Sequence, residues 1–274
     1  MTTDGFAPAK INLTLHVTGQ RADGYHLLDS LVVFADMGDH LSLRPAARAR
    51  LCVTGPMAMG VPVGPDNLVL RAAALIGVTA DITLDKHLPA AAGIGGGSSD
   101  AAACLRALSI ISGLPVPENV LSLGADVPVC LLARAARMQG IGERVTPVAG
   151  LPPLDAVLVN PGVPVSTPAI FRRLTRRDNP AMPETLPAWS DASELIRWLG
   201  AQRNDLQAPA LAEAPVIGDV LHTIDATRGC ALARMSGSGA TCFGLYPEAA
   251  DAAEAAQALR AAHPGWWVCA VRLS

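Results

Sequence analysis

The stretch Pro89-Ala-Ala-Ala-Gly93-Ile-Gly95-Gly96-Gly97-Ser98-Ser99-Asp100 carries four glycines within five residues, followed by residues that favour the start of a helix. Apolar side chains then recur at helical spacing up to Gly113, a typical C-terminal stop: Ala101, Cys104, Leu105, Leu108 and Ile111. A glycine loop that leads into a helix presents free backbone N–H groups and the positive end of the helix dipole, which suit phosphate. The stretch predicts a phosphate-binding loop, although a glycine turn that only caps a helix has the same composition.

Two common phosphate-binding motifs do not fit this loop. A Walker P-loop ends in Gly-Lys-Ser/Thr, and this loop does not. The dinucleotide fingerprint G-x-G-x-x-G also fails, because Ser98 stands where its last glycine belongs. The sequence therefore favours a third kind of nucleotide site.

The composition indicates a protein with a substantial apolar core. Half of the 274 residues are apolar, 16% are charged and the net charge is −3, which suits one large or two small domains. We expect no nucleic-acid partner, because no Lys/Arg-rich run occurs. We also expect a soluble, cytoplasmic protein without a membrane partner, because the chain shows neither a signal-peptide pattern nor an uncharged apolar run of about 18 residues.

The six cysteines are scattered along the chain and no C-x-x-C pair occurs. Disulfide-rich scaffolds are small and secreted, and zinc sites use closely spaced ligand pairs, so neither is indicated. We expect buried free thiols in a reducing compartment and no metal held by a dedicated protein cluster.

Mixed strand and helix patterns predict an α+β fold with helices that cover sheets. Residues 8–17 alternate apolar and polar side chains, which predicts a strand with one buried face. Further strands are expected at 27–34, 41–43, 82–84, 156–159, 231–235, 241–245 and 266–272, and helices at 67–74, 117–123, 191–200, 207–226 and 247–262. The turn Gly150-Leu-Pro-Pro153 predicts a boundary between domains 1–150 and 151–274, and the polar, Pro-rich segment 178–190 a mobile surface loop.

Three segments, at residues 8–12, 93–100 and 236–239, place polar or glycine residues at the end of a strand or the start of a helix. Together they resemble the three motifs of the GHMP kinases, the superfamily of galactokinase and the homoserine, mevalonate and phosphomevalonate kinases. This resemblance implies an N-terminal domain like ribosomal protein S5, a C-terminal ferredoxin-like domain, an active site in the cleft between them, and ATP as co-substrate.

A narrower resemblance rests on Ala9-Lys-Ile-Asn-Leu-x-Leu, Gly19-Gln-Arg-Ala-Asp-Gly-Tyr-His26 and Gly124-Ala-Asp-Val-Pro128. These motifs are similar to those of the GHMP kinases that phosphorylate the C2 hydroxyl of 4-diphosphocytidyl-2-C-methyl-D-erythritol in non-mevalonate isoprenoid synthesis. The likeness extends in order from residue 8 to about residue 245. It implies a small cytidine diphosphate-linked substrate. A GHMP kinase for another small alcohol, and a sensor of this fold without catalysis, are the alternatives. The oligomeric state is left open between monomer and homodimer.

Asp126 is the candidate general base, because phosphoryl transfer to an alcohol needs an acceptor for the hydroxyl proton. It lies in an apolar stretch, where a carboxylate is costly without a partner. From the residues alone it is equally a helix cap or a buried ion-pair partner, and Lys10 is a solvated strand residue. The resemblance implies that Lys10 pairs with Asp126 and stabilises charge during transfer.

The resemblance also implies an ATP site of glycine-loop, adenine-pocket and third-motif residues: Asn67, Lys86, Pro89, Gly93, Ile94, Gly95, Gly96, Gly97, Ser98, Ser99, Gly237 and Gly239. Simpler interpretations stay open: Asn67 as a helix cap, Lys86 as an exposed lysine, and one of the two serines as a cap. Asp100 is explained by favourable charge in the first helical turn, with magnesium contact as the alternative. Mg²⁺ would be held chiefly by ATP.

For the acceptor, Tyr25 offers a face on which cytosine can stack, and His26 can hydrogen-bond its edge. The same Tyr-His turn is also compatible with a structural role. The resemblance implies that Asn12 holds the erythritol end and that Thr167 and Phe171 form a second wall of the pocket, although an aromatic residue near a helix start is usually core. The segment Asn204-Asp205-Leu206 is predicted to be a helix cap with no assigned chemistry.

Overall fold

The computed structural model describes residues 2–274. In this part of the chain, strands and helices alternate in the mixed order that the sequence predicts. The strands are β1 (Thr3–Asn12), β2 (His16–Gln20), β3 (His26–Pro45), β4 (Arg50–Thr54), β5 (Ala80–Asp85), β6 (Ala136–Gly140), β7 (Arg144–Pro147), β8 (Leu154–Asn160), β9 (Leu232–Met235), β10 (Cys242–Tyr246) and β11 (Trp267–Leu273). The helices are α1 (Leu68–Ile76), α2 (Gly96–Ser112), α3 (Val127–Leu132), α4 (Thr167–Arg172), α5 (Ala192–Gly200), α6 (Gln207–Glu213), α7 (Val216–Asp225) and α8 (Ala249–Ala262).

The chain divides into two compact units, each assembled from separate segments. The first contains residues 2–10, Met37–Ala90 and Gly95–Ala133. Within it, the second half of β3 pairs antiparallel with β5, and β5 pairs parallel with β4. Helices α1 and α2 supply much of its buried apolar core, together with alternate residues of β5 and the end of β3. α2 begins directly after the glycine loop and ends at Gly113, as predicted.

The second unit contains Ile11–Asp36, Ala91–Ile94 and Arg134–Ser274. Its central strand β8 lies antiparallel between β10 and β11, and β9 pairs with β10. The first half of β3 pairs with β2 and β6, and β7 extends the pairing of β6. Side chains from α7 and α8 pack in its core. The predicted boundary near Gly150 divides the chain into two consecutive domains, 1–150 and 151–274, and it stays a prediction.

The strand predicted at residues 8–17 differs from the structure in two respects. β1 ends at Asn12 and β2 begins at His16. Residues 7–17 are all buried, so the expectation of one buried face is wrong. Thr14 finds a partner there, because its Oγ1 accepts a hydrogen bond from the Leu31 N–H at 2.8 Å, whereas both ring nitrogens of His16 are buried without a hydrogen-bond partner among the described residues.

Other elements also depart from the predicted pattern. The helix expected at 117–123 is only a 3₁₀ turn at Val120–Ser122. The helix expected at 207–226 is two helices, which Pro215 separates. Strands 27–34 and 41–43 are parts of the single strand β3, and β4, β6 and β7 were not predicted.

The segment 178–190 has no helix or strand, as expected, but it is not wholly at the surface. Met182 and Trp189 are buried. Arg137 donates to both carboxylate oxygens of Asp29 and to the carbonyls of 182–184, and the Met182 N–H donates to Asp29. These contacts fix the middle of the segment on β3 and β6. Its mobility stays a prediction.

None of the helices within residues 2–274 has the length and apolar character needed to span a membrane.

Candidate active site

Lys10 and Asp126 form an ion pair in the first unit. β1 carries Lys10, and Asp126 immediately precedes α3. The Lys10 Nζ lies 3.0 Å from an oxygen of Asp126, and the side chains are 4% and 30% exposed. The Asp126 carboxylate makes no capping hydrogen bond to α3, so the helix-cap alternative is wrong, and the solvated-lysine interpretation of Lys10 is wrong as well. The arrangement is a carboxylate that is oriented by an ammonium and still open to solvent.

Arg106 on α2 links the elements that carry this ion pair. Its guanidinium donates to the carbonyl of Cys130 at 2.8 Å, near the end of α3, and to the carbonyl of Phe6 on β1 at 3.0 Å. A cation near the last carbonyls of a helix is favourable. Arg106 therefore fixes α3, and with it Asp126, against the strand that carries Lys10. The sequence analysis missed it, although an arginine within the Ala/Leu-rich helix was a usable signal.

The glycine loop approaches the same lysine. Gly95 has a left-handed backbone (φ 65°) and precedes the first helical residue of α2 with no side-chain capping bond. A Cβ added at Gly95 would lie 3.1 Å from the Lys10 Cβ and Cε, which is tighter than normal packing. The helix start thus leaves its first N–H groups without intrahelical acceptors in a place where only glycine fits. This geometry suits an anionic ligand.

Ser99 has a structural contact. Its hydroxyl donates to the carbonyl of Pro8 at 2.6 Å, and the side chain is fully buried. The hydroxyl ties α2 to β1 two residues from Lys10 and does not cap the helix. Ser98 is partly exposed. Pro89 and Ile94 are buried, so they shape the loop from within.

Lys86 lies in a second, sealed lysine–aspartate cluster, and the exposed-lysine interpretation is wrong. Its ammonium contacts Asp39 and lies 3.0 Å from an oxygen of Asp100, and all three side chains are buried. Asp39 also accepts the N–H groups of His87 and Leu88 at 2.6 and 2.8 Å. Asp100 is therefore an ion-pair partner of Lys86, and it lies beyond the first turn of α2, so the explanation by favourable charge in the first helical turn is wrong.

One cation faces two carboxylates in this buried cluster, and the pKa values of Lys86 and Asp100 are shifted as a result. Burial lowers the pKa of Lys86, but Asp100 and Asp39 more than offset it, and the net pKa is raised. Burial raises the pKa of Asp100 to about 7, against the opposing effect of Lys86. The second oxygen of Asp100 is buried without a hydrogen-bond partner among the described residues. The sequence analysis missed Asp39, a charged residue within a mainly apolar strand.

Asn67 is the N-cap of α1, as the simpler interpretation held. Its side-chain oxygen accepts the Val69 N–H at 2.9 Å, and its amide donates to the carbonyl of Pro62 at 2.7 Å. The carboxamide is thus committed to the helix and to the loop before it. A role in adenine binding would come from the shape that Asn67 and Lys86 impose, and that role stays a proposal.

In the second unit, the third glycine motif packs against Gly93 of the first glycine loop. The Ser236 hydroxyl donates to the Gly93 carbonyl and accepts the Asn12 N–H, both at 3.1 Å. Gly93 and Gly237 both have positive φ angles, and a Cβ at Gly237 would lie 2.6 Å from the Gly93 carbonyl oxygen. Asn12 also donates its side-chain amide to Ser30 at 2.8 Å. Close backbone approach therefore explains the glycines at 93 and 237.

The predicted cytosine-binding residues lie on the second unit. The rings of His26 and Phe171 are stacked with centroids 4.8 Å apart, and Tyr25 is 61% exposed. The Nε2 of His26 is buried without a hydrogen-bond partner among residues 2–274. Burial, and then Arg177, lower the pKa of His26. The structure thus brings the rings of His26 and Phe171 together and leaves the buried Nε2 of His26 without a partner in the described part of the chain.

Thr167 begins α4, and its hydroxyl lies 2.7 Å from that of Ser238. Thr167 therefore contacts the third motif, which also contains Gly239. Within the described residues, no group of three or more His, Cys, Asp or Glu side chains has an arrangement that would hold a metal ion.

Two known protein families match separate parts of this chain. The family described as GHMP kinases N terminal domain matches residues 67–134, and that described as GHMP kinases C terminal matches residues 181–265. A 4-diphosphocytidyl-2-C-methyl-D-erythritol kinase of Dinoroseobacter shibae is 63% identical over 96% of this chain and 92% of its own length. One of Cereibacter sphaeroides is 61% identical over 99% of both chains.

A solved structure extends the agreement to the fold. The crystal structure of a 4-(cytidine 5'-diphospho)-2C-methyl-D-erythritol kinase matches with a TM-score of 0.82 and 36% identity over 99% of both chains. GHMP kinases use ATP as phosphoryl donor, so the chain is an ATP-dependent kinase. From this sequence and fold agreement, the chain belongs to the GHMP kinases and, among them, to the 4-diphosphocytidyl-2-C-methyl-D-erythritol kinase family.

Proposed function

We propose that this kinase transfers the γ-phosphoryl group of ATP to the C2 hydroxyl of 4-diphosphocytidyl-2-C-methyl-D-erythritol. The products are the 2-phosphate and ADP, in the synthesis of isoprenoid precursors by the non-mevalonate route. The names of relatives up to 63% identical support this substrate. The observation that carries the chemistry is the Lys10–Asp126 pair, which places an oriented, solvent-accessible carboxylate beside an ammonium.

Asp126 acts as the general base in this proposal. The acceptor oxygen forms a bond to the γ-phosphorus, the bond from that phosphorus to the β–γ bridging oxygen breaks, and ADP leaves with the bond's electrons. The hydroxyl proton passes to the Asp126 carboxylate, which makes no capping bond to α3. Lys10 keeps Asp126 in place and stabilises negative charge on the reacting oxygens.

The start of α2 would hold the ATP phosphates. Its unpaired N–H groups and helix dipole favour anions, and the missing side chain at Gly95 leaves room for a phosphate to approach the backbone. Gly237 and Gly239 of the third motif are further candidates for contact with ATP. Mg²⁺ would be carried mainly by ATP, where it neutralises phosphate charge.

The acceptor would be recognised by its cytosine base. Tyr25 offers an exposed ring for stacking, and the buried Nε2 of His26 has no protein partner among the described residues. The Phe171 ring stacks on the His26 ring, and Thr167 lies beside the third motif. Asn12 would hold the erythritol end. We place the reaction in the cytoplasm, which the six free cysteines support.

The test is a phosphorylation assay with three acceptors in parallel. The chain is incubated with ATP, Mg²⁺ and the cytidylylated methylerythritol, homoserine or mevalonate. Phosphorus NMR then follows formation of a phosphomonoester. We expect a new phosphomonoester and ADP in equal amounts with the first acceptor alone. Turnover of homoserine or mevalonate in its place would identify that alcohol as the substrate. If none of the three acceptors is phosphorylated, the chain is a non-catalytic sensor.

A further inference from the structure

We propose that Asn204 is a positioning residue that aligns the third glycine motif with the strand that carries Asn12. Asp205 fixes the same segment to β2. The inference rests on the proposed function, in which the third motif serves ATP and the strand serves the acceptor. The sequence pattern predicted only a helix cap at this position.

The side-chain amide of Asn204 makes three hydrogen bonds. Its nitrogen donates to the carbonyl of Met235 at 2.8 Å and to that of Gly237 at 2.9 Å. Its oxygen accepts the Leu206 N–H at 2.9 Å. This bond is a local turn and not a helix cap, because Leu206 is itself the N-cap of α6 and no side chain caps that helix. The Asn204 side chain is 8% exposed, so water cannot easily replace these bonds. One of the three bonds is thus local, and the other two hold the third motif.

The two carbonyls that Asn204 holds lie on either side of Ser236. The Ser236 hydroxyl in turn connects the Asn12 N–H to the Gly93 carbonyl. A fixed Ser236 therefore relates the acceptor strand to the glycine loop through hydrogen bonds of 3.1 Å. Asn204 reaches no substrate in this scheme. It acts through Ser236, and so it is a positioning residue.

Asp205 anchors the same segment on the acceptor side. Its carboxylate accepts the Val17 N–H at 2.7 Å, and its own N–H donates to the Leu15 carbonyl at 2.8 Å. The Leu15 N–H donates to the Arg203 carbonyl at 2.9 Å. The segment 203–205 thus pairs with the chain between β1 and β2 like an added strand. Because this pairing starts three residues after Asn12, a shift of the segment would move motif and strand relative to each other.

The side-chain amide of Asn204 matches the groups around position 204. A planar amide supplies two N–H donors for the two carbonyls and one oxygen for the Leu206 N–H. Aspartate has nearly the same shape, but the oxygen in place of the amide nitrogen would face the Met235 and Gly237 carbonyls without a proton to share. The substitution Asn204→Asp therefore removes the two bonds to the motif and keeps the oxygen that accepts the Leu206 N–H. It separates the positioning bonds from the local turn within one residue.

Asn204→Asp is compared with Asn179→Asp in the steady-state assay. Asn179 also donates its amide to a backbone carbonyl, that of Val17 at 3.2 Å, but makes no contact with the third motif. We expect kcat to fall on the order of 10²-fold in Asn204→Asp, with the KM for the acceptor changed much less, because small misalignments lower reaction rates this steeply. Asn179→Asp should retain the wild-type kcat. Equal kcat values in the two variants would overturn the inference.

A double-mutant cycle shows whether Asn204 acts through Ser236, and it covers the case in which Asn204→Asp fails to fold. Its members are Asn204→Ser, Ser236→Ala and the double variant. We expect the loss of kcat in the double variant to be clearly smaller than the product of the two single losses, because both changes break the same connection. Multiplicative losses would contradict the inference, since a merely structural role gives independent effects.

The same cycle is measured as the affinity for a non-hydrolysable ATP analogue. Coupling between Asn204 and Ser236 in this binding measurement supports the inference even without an acceptor, and independent effects there oppose it. If the wild-type chain shows no turnover of the cytidylylated acceptor, the proposed function fails. The binding cycle then decides the positioning inference separately.

Discussion

Two lysine–aspartate clusters lie in the same unit and differ in their access to solvent. In the open cluster, Lys10 pairs with Asp126, whose side chain is 30% exposed. In the sealed cluster, Lys86 contacts Asp39 and Asp100, and no member exceeds 4% side-chain exposure. Both contain the same residue types, so side-chain identity alone does not distinguish the two clusters. The exposure of the aspartate to solvent distinguishes them.

The two clusters also differ in charge balance. In the open cluster, the ammonium of Lys10 contacts a carboxylate that remains partly exposed to solvent. The sealed cluster buries two carboxylates against one ammonium, which raises the pKa of Asp100 to about 7. Removal of a charge should therefore affect turnover in the open cluster and stability in the sealed one.

The largest effect is expected for Asp126→Asn, which removes the proton acceptor and keeps the shape. We expect kcat to fall by about 10²–10⁴-fold, the usual contribution of a general base, while ATP still binds. Steady-state kinetics and nucleotide titration measure the two quantities. The matched control is Asp81→Asn, which alters the surface pair with Arg44 and should leave turnover unchanged. Near-normal turnover of Asp126→Asn would remove Asp126 as the base.

A smaller but still large effect is expected for Lys86→Met, this time on stability. Loss of the cation leaves two carboxylates buried without their partner, which should cost about 3–5 kcal/mol of unfolding free energy. Urea denaturation measures this cost. Arg44→Met is the control, because it breaks an exposed pair and should change stability by less than about 1 kcal/mol. Comparable losses in the two variants would mean that the sealed cluster is no more important to the fold than a surface pair.

The effect that is smallest within any one pH unit is a pH dependence that Asp100→Asn should abolish. Folding raises the pKa of Asp100 from 3.8 to about 7, so between these values the folded state holds a proton that the unfolded state has released. This contribution to stability is complete below about pH 4 and is lost as the pH rises to about 7. The wild type should therefore lose stability relative to Asp100→Asn across this range, by no more than about 1.4 kcal/mol per pH unit.

Urea denaturation of both proteins at several pH values between 4 and 8 measures that difference. A difference that is independent of pH would show that Asp100 titrates alike in the folded and unfolded states. A difference that changes in the opposite direction would show that Lys86 stabilises the charged carboxylate more than burial opposes it.

The elements that followed from local patterns were predicted well. α2 and its Gly113 stop depend on helical spacing and on the conformational freedom of glycine, both of which are visible in a short window. The Asn67 cap is of the same kind. β4, β6 and β7 were missed because short strands depend on partners far away in the chain, and β4 needs β5 about thirty residues later.

The candidate site shows the same limit. The sequence indicated that Asp126 needs a cation, because a carboxylate in an apolar stretch is costly. It did not indicate that Lys86 is sealed, since an isolated lysine among loop residues has no visible partner. Asp39 lies 47 residues away from Lys86 and Arg106 lies 100 residues away from Phe6, and only folding brings these groups together.

The sequence by itself determined the α+β class, the glycine loop before α2 and the kinase family, because glycine positions and motif spacing are properties of the chain. The tertiary structure decided which of two lysine–aspartate clusters remains open and which is closed. It also gave Asn204 two hydrogen bonds to the third motif. The physical reason is that burial and hydrogen-bond partnership depend on distances between remote segments, which side-chain types alone do not set.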